Sequence, residues 1–189
     1  EALTTGQVRQ LGSAQLNALT SVNLQALATD DVAALTTAQI NSLSTARVSN
    51  LTTDQVQALS SLQVRALTSA QLNALGTEQV ASLTTAQVVA LTSAQLNALT
   101  SVKLQAIETQ DVQALSSTQI SGLTAAQLNK LSTDQLQVVS TVQVQGLSST
   151  QLNGLTSQTV QALTTSATNG LSTTQMQSLG STLLNRLTT

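Results

Sequence analysis

Two columns of apolar residues run along the whole chain with a period of eight. The first column is Leu from Leu3 to Leu187, except at Ile107 and Val139. The second column begins at Val8 and is apolar in every repeat but one. We number the octad from the Leu of the first column, so that its consensus is Leu, Ser/Thr, Ser/Thr, any residue, Gln, Val/Leu, any residue, Ala. A fixed short period of this kind predicts a solenoid, a fibre or a repeat array.

The spacing of the two columns excludes a single long helix and a regular strand. An α-helix has about 3.6 residues per turn, so an octad repeat drifts around it by about 80° each time. Strands alternate with a period of two, and a three-residue gap places Val8 and Leu11 on opposite faces. A short helix that restarts in every octad keeps both apolar residues on one face.

A third column indicates where each helix begins. Position 3 is Ser or Thr from Thr5 to Thr189, with Ala125 as the exception. Ser and Thr cap helices because the side-chain oxygen accepts a free backbone N–H group. We therefore predict an N-cap at position 3, a helix of about one and a half turns, and a two-residue corner. Gln at position 5, from Gln7 to Gln175, is expected to bond to the helix start or to the next coil, a coil being one superhelical turn.

The predicted fold is an all-α solenoid with one N-capped helix per octad, forming a single continuous domain over residues 1–189. A β-solenoid is the alternative fold. A disordered low-complexity segment is disfavoured, because the apolar columns are too regular for a chain with nothing to pack.

The variant Gln, Leu or Ile, Asn at positions 5 to 7, with Leu183 in place of Gln in the last case, recurs with a longer period. The gaps between these Asn residues alternate between 24 and 32, which average 28 residues or 3.5 octads. We therefore predict about 3.5 octads per superhelical turn, with these Asn residues on one side. Duplication of a 56-residue block is the alternative explanation, and a second series of apolar residues 40 apart has no explanation in this scheme. The Asn residues are Asn17, Asn41, Asn73, Asn97, Asn129, Asn153 and Asn185, and the second series is Val22, Leu62, Val102 and Val142.

Charged residues make up 7% of the chain, which has a net charge of -2. Acidic residues follow the predicted caps by one or two positions and most basic residues lie later in the octad, as the helix dipole favours. This balance gives no indication of binding to nucleic acid or to an anionic membrane. No apolar run approaches the ~18 residues of a membrane span. The acidic residues placed in this way, six of the eight in the chain, are Asp30, Asp31, Asp54, Glu78, Asp111 and Asp134, and the basic residues late in the octad, four of the six, are Arg9, Arg65, Lys130 and Arg186.

The composition argues against an enzyme. The chain has no Cys and no His, which removes thiolate metal sites, disulfides and the commonest general base. Asp30 and Asp31 are the only adjacent carboxylates, and first-turn dipole placement explains them better than a metal site. The glycosylation sequon at Asn50-Leu51-Thr52 is a common chance match. We predict no catalytic, cofactor-binding or metal-binding residue, and no cofactor.

The octads with Leu-Thr-Thr-Ala-Gln followed by Ile or Val, at residues 35–40 and 83–88, resemble low-complexity octapeptide tracts of very large secreted or surface proteins of bacteria. The resemblance covers the whole chain and implies an extracellular or cell-surface structural segment. Because the chain begins at Glu1 rather than Met, we expect a processed chain or a piece of a longer one.

The predicted function is therefore that of a structural repeat protein forming an extended extracellular rod, fibre or filament segment. Its predicted partner is itself, by end-to-end association or by continuation of the repeat in a longer chain. The alternative is a binding module that presents a regular Ser/Thr/Gln/Asn surface to ice, a glycan or another fibre. An engineered consensus repeat is disfavoured by irregular positions such as Thr168.

Overall fold

The computed structural model describes residues 3–187, apart from the side chains of Ser166, Thr182, Arg186 and Leu187. Within this range the octads fold as short α-helices and no strand occurs. The all-α solenoid is confirmed and the β-solenoid alternative is wrong. The last predicted cap, Thr189, lies outside the described residues.

The helices of the described residues are four to seven residues long, as expected for about one and a half turns. They are α1 (Thr5–Arg9), α2 (Ser13–Ala18), α3 (Ser21–Gln25), α4 (Thr29–Ala34), α5 (Thr37–Ser42), α6 (Thr45–Ser49), α7 (Thr53–Ala58), α8 (Ser61–Ala66), α9 (Ser69–Ala74), α10 (Thr77–Ala81), α11 (Thr85–Val88), α12 (Ser93–Ala98), α13 (Ser101–Gln105), α14 (Thr109–Ala114), α15 (Ser117–Ser121), α16 (Ala125–Leu128), α17 (Thr133–Gln137), α18 (Thr141–Gln145), α19 (Ser149–Asn153), α20 (Ser157–Ala162), α21 (Thr165–Asn169), α22 (Thr173–Gln177) and α23 (Ser181–Leu187).

The helices group into two compact units, one ending at Leu91 and the other beginning at Thr92. Within each unit, a helix packs on the helix three places further along the chain. In the first unit α1 packs on α4, α4 on α7 and α7 on α10, and in the second α15 packs on α18 and α18 on α21. One coil therefore contains a little more than three octads. That the whole chain forms one continuous solenoid stays a prediction.

Where the C-cap is the Leu of position 1, the corner consists of two residues in extended conformation. Leu35 has φ −58° and ψ 142°, and Thr36 has φ −73° and ψ 157°. No described residue has a positive φ angle. The corner therefore needs no glycine, and a Leu can occupy it.

Both apolar columns form the core of each unit. Position 6 is at most 4% exposed from Val8 to Val160, and position 1 is at most 9% exposed from Leu27 to Leu155. Since the octad restarts its helix at every corner, both residues return to the inner face in each repeat.

The second column leaves the core in the last octads. At position 6, Met176 and Leu184 are 44% and 37% exposed. At position 5, Ala167 and Leu183 are buried. The shift begins at Thr168, where the hydroxyl donates to the backbone oxygen of Thr164 at 3.2 Å instead of packing inward. A polar side chain that bonds its own helix in this way cannot serve as an apolar contact.

The N-cap lies at position 2, so the predicted cap at position 3 is wrong by one residue. Thr36 Oγ1 accepts the N–H of Gln39 at 3.1 Å, and Thr37 is the first helical residue. Gln39 is thus three residues after the cap, and its Oε1 accepts the Thr36 N–H at 2.8 Å to close a capping box. The acidic residues Asp54 and Glu78 remain in the first helical turn, as expected.

Position 3 lies close to position 8 of the next coil. A β-carbon on Gly154, at position 8, would lie 2.7 Å from that of Ala125. A β-carbon on Gly146 would lie 3.4 Å from that of Ser117. At these two sites a residue of position 3 therefore leaves little room for a side chain at position 8 of the coil that follows, whereas the cap position tolerates replacements such as Gly12 at modest cost.

Candidate functional site

The Gln at position 5 makes the most repeated polar contact in the structure. In Gln87, Oε1 accepts the N–H of Thr84 at 2.8 Å. Its Nε2 donates to the backbone oxygens of Val56, Gln57 and Leu59 at 2.9, 3.1 and 2.6 Å. These carbonyls lie at the C-terminus of α7, where a helix leaves its last C=O groups without intrahelical partners. One amide therefore caps the start of its own helix and the end of a helix one coil earlier.

The amide bridge of Gln87 recurs in both units. Its acceptors lie 28 to 31 residues before the donor. The Gln side chain therefore bonds both to the start of its own helix and to another coil. The sequence predicted one or the other, with the next coil as the partner, whereas the coil observed is the preceding one. The other Gln residues that donate in this way are Gln39, Gln55, Gln63, Gln71, Gln79, Gln127, Gln135, Gln143, Gln151 and Gln175.

Position 7 makes the corresponding contact with the following coil. Asn97 Nδ2 donates to the backbone oxygen of Gly122 at 2.6 Å, and its Oδ1 accepts the N–H of Thr124 at 2.9 Å. Gln25 and Gln145 also donate to carbonyls 25 residues later. Contacts between coils thus span 25 to 31 residues, which brackets the predicted turn of 28. That the Asn residues share one side of the superhelix stays a prediction.

Position 4 forms the outer surface of the coils. The apolar residues of the 40-residue series are the most exposed large apolar side chains described, at 60 to 75% exposure. Their exposure shows that core packing does not select them, and nothing in the structure explains their spacing. These residues are Val22, Leu62, Val102 and Val142.

Three carboxylates occupy this outer surface in the first unit. Asp30, Asp54 and Glu78 are exposed and lie at the same position of α4, α7 and α10. Because α4 packs on α7 and α7 on α10, the three form an acidic column that crosses successive coils. A cleft of about 430 Å³ next to it is lined by Thr52, Thr53, Thr77 and Glu78, among others.

The Asp30-Asp31 pair is divided between two environments. Asp30 is exposed, whereas Asp31 is 6% exposed and its Oδ1 accepts the Thr5 hydroxyl at 2.9 Å. Asp31 therefore takes part in a contact between coils. In the described part of the chain, no group of three or more His, Cys, Asp or Glu residues is placed to hold a metal ion. That the chain has no catalytic or ligand-binding residue stays a prediction.

The sequon residue Asn50 has a structural position. It is the C-cap of α6, is half-buried, and its backbone oxygen accepts Gln25 Nε2 at 2.9 Å. Among residues 3–187, no helix is long and apolar enough to cross a membrane.

A family model described as the ALTTAQ repeat matches residues 1–29, 24–61, 57–85 and 104–141, which together exceed half of the chain. The chain belongs to the ALTTAQ repeat family. The six letters occur in full at residues 34–39. They contain the buried Leu35, the N-cap Thr36, the first helical residue Thr37 and the bridging Gln39. The ALTTAQ motif thus contains the residues of one corner, one capping box and one hydrogen-bonded link between coils.

No curated protein matches the chain. The tandem repeat character implied by the resemblance to octapeptide tracts is confirmed by the ALTTAQ match. The origin in large secreted or surface proteins of bacteria stays a prediction.

Proposed function

We propose that this ALTTAQ repeat chain is a structural segment that lengthens a rod or fibre on the cell surface or outside the cell. The observation that supports the proposal is the amide bridge of Gln87 and its equivalents. Through this bridge each coil receives Gln donors from the next coil at its helix C-termini and directs its own position-5 Gln donors to the coil before. Coils with this complementarity can be added in any number without a new kind of contact.

The same complementarity supports more of the same repeat as the partner. Gln7 and Gln15 in the first coil hold the N–H groups of Thr4 and Gly12 at 2.8 Å. Their Nε2 groups make no hydrogen bond among the described residues, and both side chains are exposed. A preceding coil, in a longer chain or in a second copy, would offer these Nε2 groups backbone oxygens equivalent to those that accept from Gln39 and Gln55.

The extended shape can be measured in solution. With 28 residues per coil and about 10 Å per helix layer, the chain should be about 65 Å long. Inserting a second copy of residues 36–91, seven octads in register, should lengthen the particle by about 20 Å at constant cross-section in X-ray scattering. A control insertion of the same residues in scrambled order should not give this increment. A particle that becomes rounder, or whose cross-section grows with the ordered insertion, would contradict the rod.

A binding module is a second candidate function, because the regular hydroxyl column is not the cap column. Thr29 and Thr77 are exposed first residues of α4 and α10, and each directly precedes a carboxylate of the acidic column. A repeating surface of hydroxyls and carboxylates suits a glycan. Binding to a panel of polysaccharides should weaken when Thr29, Thr53 and Thr77 are replaced by Ala, and should persist after the same change at Thr109, Thr133 and Thr165. The absence of binding to any polysaccharide would refute this candidate.

A further inference from the structure

Two kinds of side-chain oxygen accept the N–H of an N-cap. One is the Gln Oε1 of the same octad, as in Gln87 with Thr84. The other is the Oδ1 of an Asn at position 7 in the preceding coil, as in Asn97 with Thr124 at 2.9 Å. An N–H group has a single proton, so one strong acceptor satisfies it and a second is left over.

Where the Asn oxygen takes the N–H, the residue 30 positions after the Asn need not be Gln. Asn17 Oδ1 accepts the Ser44 N–H at 2.7 Å, and position 5 of that octad is Arg47. Arg47 keeps the link to the preceding coil, because its Nε donates to the Asn17 backbone oxygen at 3.0 Å. The capping box is absent from this helix, yet the cap N–H has a partner.

The second unit contains two further cases. Asn129 Oδ1 accepts the Thr156 N–H at 2.9 Å and also the hydroxyl of Thr159, the residue at position 5 of that octad, at 2.8 Å. Asn153 Oδ1 accepts the Gly180 N–H at 2.8 Å, and position 5 is the buried Leu183. A basic, a hydroxyl and an apolar side chain thus replace Gln opposite an Asn.

Gln127 shows what happens when both acceptors are present. Asn97 takes the Thr124 N–H, and Gln127 Oε1 is the only buried side-chain oxygen or nitrogen among the described residues without a hydrogen bond. In the pair Asn41 and Gln71, the Gln oxygen and not the Asn oxygen accepts the cap N–H. There Gln71 Oε1 keeps the Thr68 N–H at 2.8 Å, and Asn41 only donates, to the backbone oxygen of Ala66.

We propose that position 7 of one coil and position 5 of the octad 30 residues later form a pairing rule that fixes which octads lie on one another. The apolar columns cannot do this, because a slip of one octad places Leu on Leu and Val on Val. After a slip, more Asn residues face octads that retain Gln, and in each such pair one of the two side-chain oxygens loses the cap N–H, as Gln127 Oε1 does opposite Asn97. Arg47, Thr159 and Leu183 then face octads without Asn and leave cap N–H groups without their side-chain acceptor. Each unsatisfied buried group is costly, so the native register is selected.

Two double-mutant cycles test the rule, with opposite signs expected. Asn17→Ala should lower the melting temperature by about 2–4 °C, because Arg47 cannot accept the Ser44 N–H. Adding Arg47→Gln should recover at least half of this loss, because the new Oε1 can close a capping box. At the other pair, Asn97→Ala should cost less than Asn17→Ala, since Gln127 becomes free to accept. Combining Asn97→Ala with Gln127→Leu should cost more than the sum of the two single changes.

A matched control compares Gln127→Leu with Gln87→Leu. Both changes remove the same donors, but only Gln87 also accepts a cap N–H, so Gln87→Leu should cause the larger loss. Amide exchange at Ser44 gives a readout that survives changes in overall stability: it should accelerate in Asn17→Ala and return towards the original rate with Arg47→Gln. Additive effects in both cycles, or exchange at Ser44 that does not respond to Arg47→Gln, would overturn the rule.

Discussion

Gly154 lies directly on Ala125, 29 residues earlier, so that a β-carbon on Gly154 would come within 2.7 Å of the Ala125 β-carbon. Gly154→Ala should therefore overpack this contact and lower the free energy of unfolding by about 1–3 kcal/mol. Adding Ala125→Gly should restore most of the loss. Gly12→Ala is the control, because its nearest contact would be 3.5 Å away and its effect on unfolding should be small.

The corrected cap position predicts different effects at two adjacent threonines. Thr36→Ala removes the oxygen that accepts the Gln39 N–H and should cost about 1 kcal/mol of stability. Thr37→Ala changes an exposed first helical residue and should stay within about 0.5 kcal/mol. Chemical denaturation of the two variants measures the difference. A greater loss from Thr37→Ala would restore the cap to position 3.

The sequence predicted the helices, their length, the two-residue corner and the 28-residue turn, because each depends on a column that repeats without interruption. It misplaced the cap, since positions 2 and 3 are both rich in Ser and Thr and the stricter column is the first helical residue rather than the cap. The sequence signal of the contact between positions 3 and 8 is that Ala125, the exception in the Ser/Thr column, lies opposite Gly154. The joint role of Asn97 and Gln127 could not be predicted, because two oxygens compete for an N–H only once the coils are stacked.

Burial in the apolar column outweighs capping in the adjacent corner. Leu91 is 3% exposed, so Leu91→Asp places a charge in the core and should cost more than about 4 kcal/mol. Thr92 is an N-cap whose Oγ1 accepts the Gln95 N–H at 3.1 Å; Thr92→Ala should cost about 1 kcal/mol. Equal melting temperatures for the two variants would contradict the buried Leu column.

The exposed apolar series predicts a substitution without effect on folding. Leu62 is 69% exposed and Val56 is fully buried. Leu62→Ala should change the free energy of unfolding by less than about 0.5 kcal/mol, whereas Val56→Ala should lower it by about 2 kcal/mol. Thermal unfolding followed by circular dichroism separates the two. A comparable loss from Leu62→Ala would show that this surface is packed.

The stacking of one coil on the next is tested most directly by a disulfide across it. The chain has no native cysteine, and a β-carbon on Gly146 would lie 3.4 Å from that of Ser117, close to the β-carbon separation of a disulfide. The double variant Ser117→Cys/Gly146→Cys should therefore oxidise within one chain, giving a faster-migrating band on non-reducing electrophoresis. The control, Ser117→Cys/Gly154→Cys, moves the second cysteine by one octad and should stay reduced under the same mild oxidation. Rapid closure of the first pair alone is the predicted result, and equal closure of both pairs, or closure of the control alone, would contradict the 28-residue coil.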